Sequence, residues 1–150
     1  MRKLYLPRVL IASSLLMLAA CGGETPTKYV FDKDELMNNT DAYVVTKGLL
    51  GKLGCLLTSR MMTKEVMEAL KNGKKPNMKT AKTPTSINLY KEKIEWIDGG
   101  QETAIKNNAV DFNGPDGETI NLTVTKEEER LLFGYKKEDL ECRFPFKKQN

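Results

Sequence analysis

The side chains that could do chemistry in this 150-residue chain are few, and the most informative are Cys21, Cys55 and Cys142. The sequence contains no histidine. Without an imidazole the chain cannot build a Ser-His-Asp triad, a Cys-His nucleophile or a histidine-ligated zinc site. A reactive thiol or a cysteine metal site would need a further ligand or base nearby, and the sequence offers none. We therefore expect no cofactor and no metal site.

Acidic residues are the remaining candidates for catalysis. Glu127, Glu128 and Glu129 form one run, and Asp116 and Glu118 form a close pair. Glycosidases use two carboxyl groups about 5 to 10 Å apart across a cleft. A run of glutamates is more often a solvated surface or the first turn of a helix. We therefore expect that the protein is not an enzyme, with a carboxylate-dependent enzyme as the weakest alternative.

The first 23 residues carry a targeting pattern. Residues 1–8 hold three basic side chains, and the apolar run from Val9 to Ala20 is shorter than the roughly 20 residues that span a bilayer. The segment Leu18-Ala19-Ala20-Cys21 resembles the lipobox of bacterial lipoproteins. The resemblance implies cleavage before Cys21, attachment of diacylglycerol to its thiol and acylation of the new amino terminus. Two or three acyl chains would hold the protein firmly on a membrane.

The residue after the lipobox bears on location. Gly22 stands where aspartate would favour retention in the inner membrane of enteric-type bacteria, so the resemblance implies a lipid-anchored outer-membrane protein facing the periplasm. Cleavage removes three basic residues and leaves 21 basic against 20 acidic residues. A nearly neutral domain has no basic footprint for nucleic acid. The expected partners are the membrane, through the lipid on Cys21, and an unidentified protein.

Once Cys21 is assigned to the anchor, Cys55 and Cys142 remain. Two cysteines outside the cytoplasm usually pair. Cys55 lies in an apolar helical pattern, and Cys142 lies on the apolar side of an alternating segment. We therefore predict a disulfide that joins a helix to a sheet, although spacing alone cannot bring the two residues within reach.

Helical patterns dominate residues 32–72. Asp32 and Glu35 resemble a capping box, and leucines recur at helical spacing between residues 45 and 57. Gly48, Gly51 and Gly54 lie three residues apart in the same segment. Each glycine costs about 1 kcal/mol relative to alanine inside a helix. They therefore indicate close packing, for which the protein's own sheet is favoured over a partner helix or a membrane.

Alternating patterns dominate from Ser86 onward. The clearest predicted strands are 120–125 and 140–146, with weaker ones at 87–90 and 94–97. Pro145 lacks an amide donor and predicts an edge strand or a strand end. Residues 126–135 fit either a helix or a strand. Turn signals lie at residues 98–100, 107–108 and 114–117.

A basic connector separates the helical and strand halves. Residues 71–84 contain five lysines and no acidic residue: Lys71, Lys74, Lys75, Lys79 and Lys82. Gly73, Pro76 and Pro84 indicate a loop. A solvated connector is the favoured interpretation, and contact with anionic lipid headgroups or an acidic partner is the alternative.

Helices followed by strands predict an α+β fold, with N-terminal helices packed on a small antiparallel sheet formed by the C-terminal half. The expected organisation is a cleaved signal peptide (1–20), a lipid-anchored tether (21–31) and one globular domain (32–150). The expected function is an envelope lipoprotein that acts by protein binding or as an accessory factor. A protective lipoprotein against a toxin, a lysozyme, a phage or a plasmid is the alternative, which a neighbouring gene cluster of that kind would favour.

Overall fold

Eight strands form one sheet in the part of the chain that the structure, a computed structural model, describes: residues 23–113 and 117–150. The strands are β1 (Thr27–Phe31), β2 (Ser86–Leu89), β3 (Lys93–Trp96), β4 (Gln101–Ala104), β5 (Ala109–Asn113), β6 (Thr119–Lys126), β7 (Arg130–Lys137) and β8 (Leu140–Lys148). Their order in the sheet is β4-β3-β2-β1-β8-β7-β6-β5, and every neighbouring pair is antiparallel. The first strand of the chain therefore lies at the centre of the sheet.

The sheet is nearly closed around an aromatic core. Trp96 of β3 packs against Phe112 of the edge strand β5 with ring centroids 5.9 Å apart, and against Phe133 of β7 at 5.4 Å. Strands that are far apart in the sheet order therefore share one core. The α+β class is confirmed, but the expectation of a small sheet is wrong, because eight strands curl until the two edges approach each other.

The helices lie between β1 and β2. They are α1 (Lys33–Asn38), α2 (Thr40–Tyr43), α3 (Leu49–Thr58) and α4 (Lys64–Lys71), with a 3₁₀ turn at Ser59–Met62. One half of the predicted capping box is present, because a carboxylate oxygen of Asp32 accepts a hydrogen bond from the Glu35 amide at 3.1 Å. The reciprocal hydrogen bond does not form, because the Asp32 amide donates to the Pro145 carbonyl instead. The helical expectation for residues 32–72 is thus confirmed as several short helices.

The nearly closed sheet has two ends, which we call the chain-start end and the helix end. Glu24 reaches the first, where its carboxylate accepts a hydrogen bond from the Lys91 amide at 2.6 Å. Helix α3 lies at the other end, near the start of β8, and the segment that links α4 to β2 lies there as well. Because β1 and β8 are antiparallel, the first residue of β1 and the first residue of β8 mark opposite ends.

Residues 27–31, expected to belong to the tether, form β1 instead. The side chains of Tyr29 and Phe31 are 1% and 2% exposed. Phe31 packs against Phe144 and Phe146 of β8. The folded domain therefore begins at Thr27 and not at residue 32. Burial of the two aromatic rings stabilises this strand although the segment before it is polar.

Pro145 does not mark a sheet edge, because β8 lies between β1 and β7. The Asp32 amide donates to the Pro145 carbonyl at 2.8 Å, just after β1 ends. The amide nitrogen and the carbonyl of one strand residue face the same side. The nitrogen of Pro145 therefore lies on the side of β8 where β1 has already ended. Its lack of an N–H removes no hydrogen bond between β8 and β7.

The other strand predictions are confirmed or settled. Strands β2, β3, β6 and β8 cover the segments expected to be strands. The ambiguous segment 126–135 is resolved mostly as strand β7. The two-residue turn at Asn107 and Asn108 has positive φ at both positions, which asparagine tolerates well. Residues 114–116 of the last predicted turn lie outside the described residues.

Candidate functional site

The outer side of α3 exposes a row of leucines. In the described residues, seven large apolar side chains are clearly exposed, and five of them lie between residues 45 and 57. These five are Val45, Leu49, Leu50, Leu53 and Leu57, with exposures of 42 to 85%. Single exposed apolar residues are ordinary, but a contiguous group marks an interaction surface. We call Leu49, Leu50, Leu53 and Leu57 the leucine face.

The inner side of α3 is fixed to the sheet by a covalent link. Cys55 forms a disulfide with Cys142 of β8, with the two Cα atoms 5.6 Å apart. Both cysteines are fully buried. The predicted disulfide is confirmed, and it fixes which side of α3 faces the protein and which side faces solvent.

Each of the three glycines of this segment has its own local role. A Cβ atom on Gly54 would lie 2.9 Å from a methyl carbon of Leu140, so this glycine packs against the protein's own sheet as expected. A Cβ atom on Gly51 would meet the Thr46 carbonyl oxygen. Gly48 precedes the helix with φ +94°, a conformation that suits glycine.

The segment before α3 is also anchored. The Val45 amide donates to the Glu141 carbonyl at 3.0 Å, and the Glu141 amide donates to the Thr46 hydroxyl at 2.7 Å. The same hydroxyl donates to the Asp139 carbonyl at 2.8 Å. Residues 44–46 thus continue along β8 beyond the end of β1. The leucine face is therefore presented by a helix that is held at its start and at its centre.

Positive charge is concentrated in the same part of the chain. Residues 42–85 contain nine basic and two acidic residues, whereas the remainder of 21–150 contains twelve basic and eighteen acidic residues. The net charges are +7 and −6. The nearly neutral total therefore conceals a strong asymmetry, and the +7 segment holds the leucine face together with residues 71–84, which we call the basic loop.

The lysines of the basic loop are exposed and lack carboxylate partners within the described residues. The loop itself is tied to the helices. The Arg60 guanidinium donates to the Met78 carbonyl at 3.1 Å, and the Thr83 hydroxyl donates to the Glu65 carboxylate at 2.6 Å. Hydrogen bonding from Thr83 and from backbone amides lowers the pKa of Glu65 although burial opposes it. The loop therefore stays beside the helices.

The acidic residues considered for catalysis are not brought together. Glu118 pairs with Lys137 at 3.3 Å near one end of β6, and Glu127 lies beyond the other end, 4.0 Å from Arg130. The eight residues of β6 lie between them. The nine steps of extended chain from Glu118 to Glu127 span about 30 Å, far more than a glycosidase pair allows. Both border a groove of about 630 Å³ on the outer face of β6, β7 and β8. Asp116 lies outside the described residues.

A polar cluster that the sequence did not reveal joins α1 and α2 to β7. The Tyr43 hydroxyl donates to the Glu35 carboxylate at 2.8 Å, and the Arg130 guanidinium donates to both groups. The hydrogen bond from Tyr43 is the largest cause of the lowered pKa of Glu35. Burial and the neighbouring carboxylate raise the pKa of Tyr43 to about 12. The cluster ties the short helices to the sheet.

The described residues contain no group of three or more histidine, cysteine, aspartate or glutamate side chains placed to hold a metal ion. None of the helices in residues 23–113 and 117–150 is long and apolar enough to cross a membrane. Cys21, the predicted lipidation site, lies outside the described residues. Comparison of the chain with protein-family models, curated proteins and solved structures finds no match in any of the three.

Proposed function

We propose that this protein is a lipid-anchored envelope protein that acts by binding another protein through the leucine face, without catalysis. The observation that carries the proposal is the exposure of Leu49, Leu50, Leu53 and Leu57 on a helix whose opposite side is bonded to the sheet. The aromatic core of the protein is buried, whereas this row of leucines is exposed to solvent. A protein surface that covers the row would remove its apolar area from water.

Burial of the leucine face would contribute a substantial part of the binding energy. Full burial of one leucine side chain contributes about 1.5 to 3 kcal/mol. Four half-exposed to fully exposed leucines therefore offer several kcal/mol toward association. Much of the usual cost of ordering a binding element is avoided, because the disulfide and the contacts of residues 44–46 already hold α3 in place.

The position of the anchor favours a protein partner over the protein's own membrane. Eight residue steps along β8 and β1 separate Cys142 from Thr27, about 25 Å of extended chain. Residues 21–26 can span at most about 20 Å. A lipid on Cys21 would therefore hold the chain-start end toward the outer membrane, and the leucine face would point into the periplasm.

The intact mass of the purified protein tests the proposed lipid anchor and membrane location. The precursor is expressed with its native signal in a two-membrane bacterium and purified from separated membranes. We expect outer-membrane protein with the mass of residues 21–150 plus acyl chains. An uncleaved chain, or a cleaved chain without acyl groups, would contradict the lipid anchor.

Docking is tested by photocrosslinking in the envelope. We place p-benzoylphenylalanine at Leu50 and, as a control, at Glu128 in the exposed turn after β6. We expect a discrete protein adduct from position 50 that Leu53→Glu abolishes and Thr125→Glu leaves unchanged. Position 128 should not give the same adduct. Adducts with lipid alone, or an adduct that ignores Leu53→Glu, would overturn the proposal.

A further inference from the structure

We infer that the partner presents an acidic surface bordering an apolar ridge, with the ridge on the leucine face and the acidic residues against the basic loop. The inference rests on the proposed function and adds the chemistry of the partner. Two features support it: the charge asymmetry of the chain, and the continuity between the leucine face and the basic loop.

The charge of this region is available to a partner. Of the nine basic residues in 42–85, Lys52 and Lys64 pair with carboxylates of the protein itself. The five lysines of the basic loop have no such pair within the described residues. Elsewhere, Lys93, Lys137 and Lys147 are matched by nearby acids. Lys91, Lys106 and Lys126 also lack an ion pair within the described residues, but they belong to the part of the chain with an acidic excess. The net positive charge is therefore concentrated in residues 42–85.

The apolar and basic parts form one continuous surface. Arg60 follows Leu57 by three residues, and Leu57 follows Leu53 by four, so these side chains succeed one another along α3 and the 3₁₀ turn. The Arg60 guanidinium contacts the basic loop at the Met78 carbonyl. A partner that covers the leucine face would therefore meet the loop lysines at the border of the same interface.

Interfaces commonly combine an apolar centre with a charged rim. Charges at the rim mainly set the association rate, the salt dependence and the exclusion of wrong partners. An acidic rim on the partner would be attracted to the loop, and a basic one would be repelled. A nucleic acid would also match the charge, but the loop has no aromatic side chain on which bases could stack. Its phosphate backbone would also leave the apolar leucine face uncovered.

The test uses the full lipidated protein in isolated envelopes, with the crosslinker at Leu50. One variant combines Lys74→Glu, Lys75→Glu and Lys79→Glu in the basic loop. The matched control combines Lys91→Glu, Lys106→Glu and Lys126→Glu, three exposed lysines at the chain-start end. Adduct yield is measured at 50 and 500 mM salt, and with polyglutamate or a neutral peptide as an added competitor.

We expect the loop reversal to lower the adduct yield about tenfold at low salt, and the control reversal to leave it unchanged within about twofold. High salt and polyglutamate should both lower the wild-type yield. A Leu53-dependent protein adduct that is indifferent to salt, polyglutamate and the loop reversal would overturn this inference and leave the proposed function standing. Adducts with lipid alone would overturn both.

Discussion

Removal of the disulfide between Cys55 and Cys142 should cost a large part of the protein's stability. The bond closes a loop of 87 positions, and chain entropy predicts about 4 to 5 kcal/mol of stabilisation for a loop of that length. Domains are commonly stable by about 5 to 15 kcal/mol in total. The bond also holds α3, so its loss should free the leucine face before the sheet unfolds.

Urea unfolding of the double variant Cys55→Ala/Cys142→Ala measures this contribution. With a urea dependence of about 2 kcal/mol per M, the midpoint should fall by about 2 M. Wild-type protein that has been reduced and alkylated provides the independent comparison, and reductant should not move the midpoint of the double variant. Circular dichroism before the transition should retain the strand signal.

A loss below about 1 kcal/mol would refute this reasoning. It would mean that the contacts of α3 with the start of β8 hold the helix without the bond, or that the unfolded chain is already compact. If the contacts of α3 are the reason, packing alone fixes the leucine face and the double variant keeps its crosslinking efficiency at Leu50. If a compact unfolded chain is the reason, loss of the bond frees α3 and the crosslinking efficiency falls.

Three further substitutions test particular contacts. Gly51→Ala should destabilise the fold by about 2 kcal/mol, although alanine has the better helix propensity, because the new Cβ meets a backbone carbonyl. Gly54→Ala should be nearly neutral, because the new Cβ meets the flexible end of a leucine side chain that can move. Urea unfolding midpoints of the two variants test both expectations. Tyr43→Phe should raise the pKa of Glu35 toward its usual value of 4.5, as measured by NMR titration. Because the pKa of Glu35 is lowered in the folded wild type, the variant's loss of stability relative to wild type should be full above pH 4.5 and should shrink as the pH falls through that lowered pKa. A loss of stability that does not change with pH would contradict the role of Tyr43 in lowering the pKa of Glu35.

The parts of the fold that the sequence predicts are those with strong local signals. The Asp32 cap, the leucine periodicity of α3 and the alternation in β6 and β8 each depend on neighbours within a few residues. The disulfide was predictable because only two cysteines remain once Cys21 is assigned to the anchor. These signals give element type and approximate position.

The curvature of the sheet and the place of β1 could not be predicted in the same way. Tyr29 and Phe31 are a short apolar signal beside a polar segment, and nothing local shows that they pair with β8 more than a hundred residues away. The edge strand β4 carries mostly polar residues and has no buried side chain, so it left no pattern. Both features depend on long-range pairing.

The candidate site was only half predictable. Helical spacing indicates that Leu49, Leu53 and Leu57 share a side, but not whether that side is buried. The structure settles this, because Cys55 and the glycines occupy the inner side and leave the leucines outside. The unmatched charge of the basic loop was visible in the sequence, whereas its connection through Arg60 to the leucine face was not.

The most direct measurement of the central claim is a hydroxyl-radical footprint of α3 in the cell envelope, compared with the purified protein. The leucine face should be labelled strongly in the purified protein and protected severalfold in the envelope, while peptides from β6 are labelled equally in both. Protection that survives removal of lipids but disappears with Leu53→Glu would assign the cover to a protein. Equal labelling of α3 in both samples would show that nothing binds the leucine face, and would contradict the account.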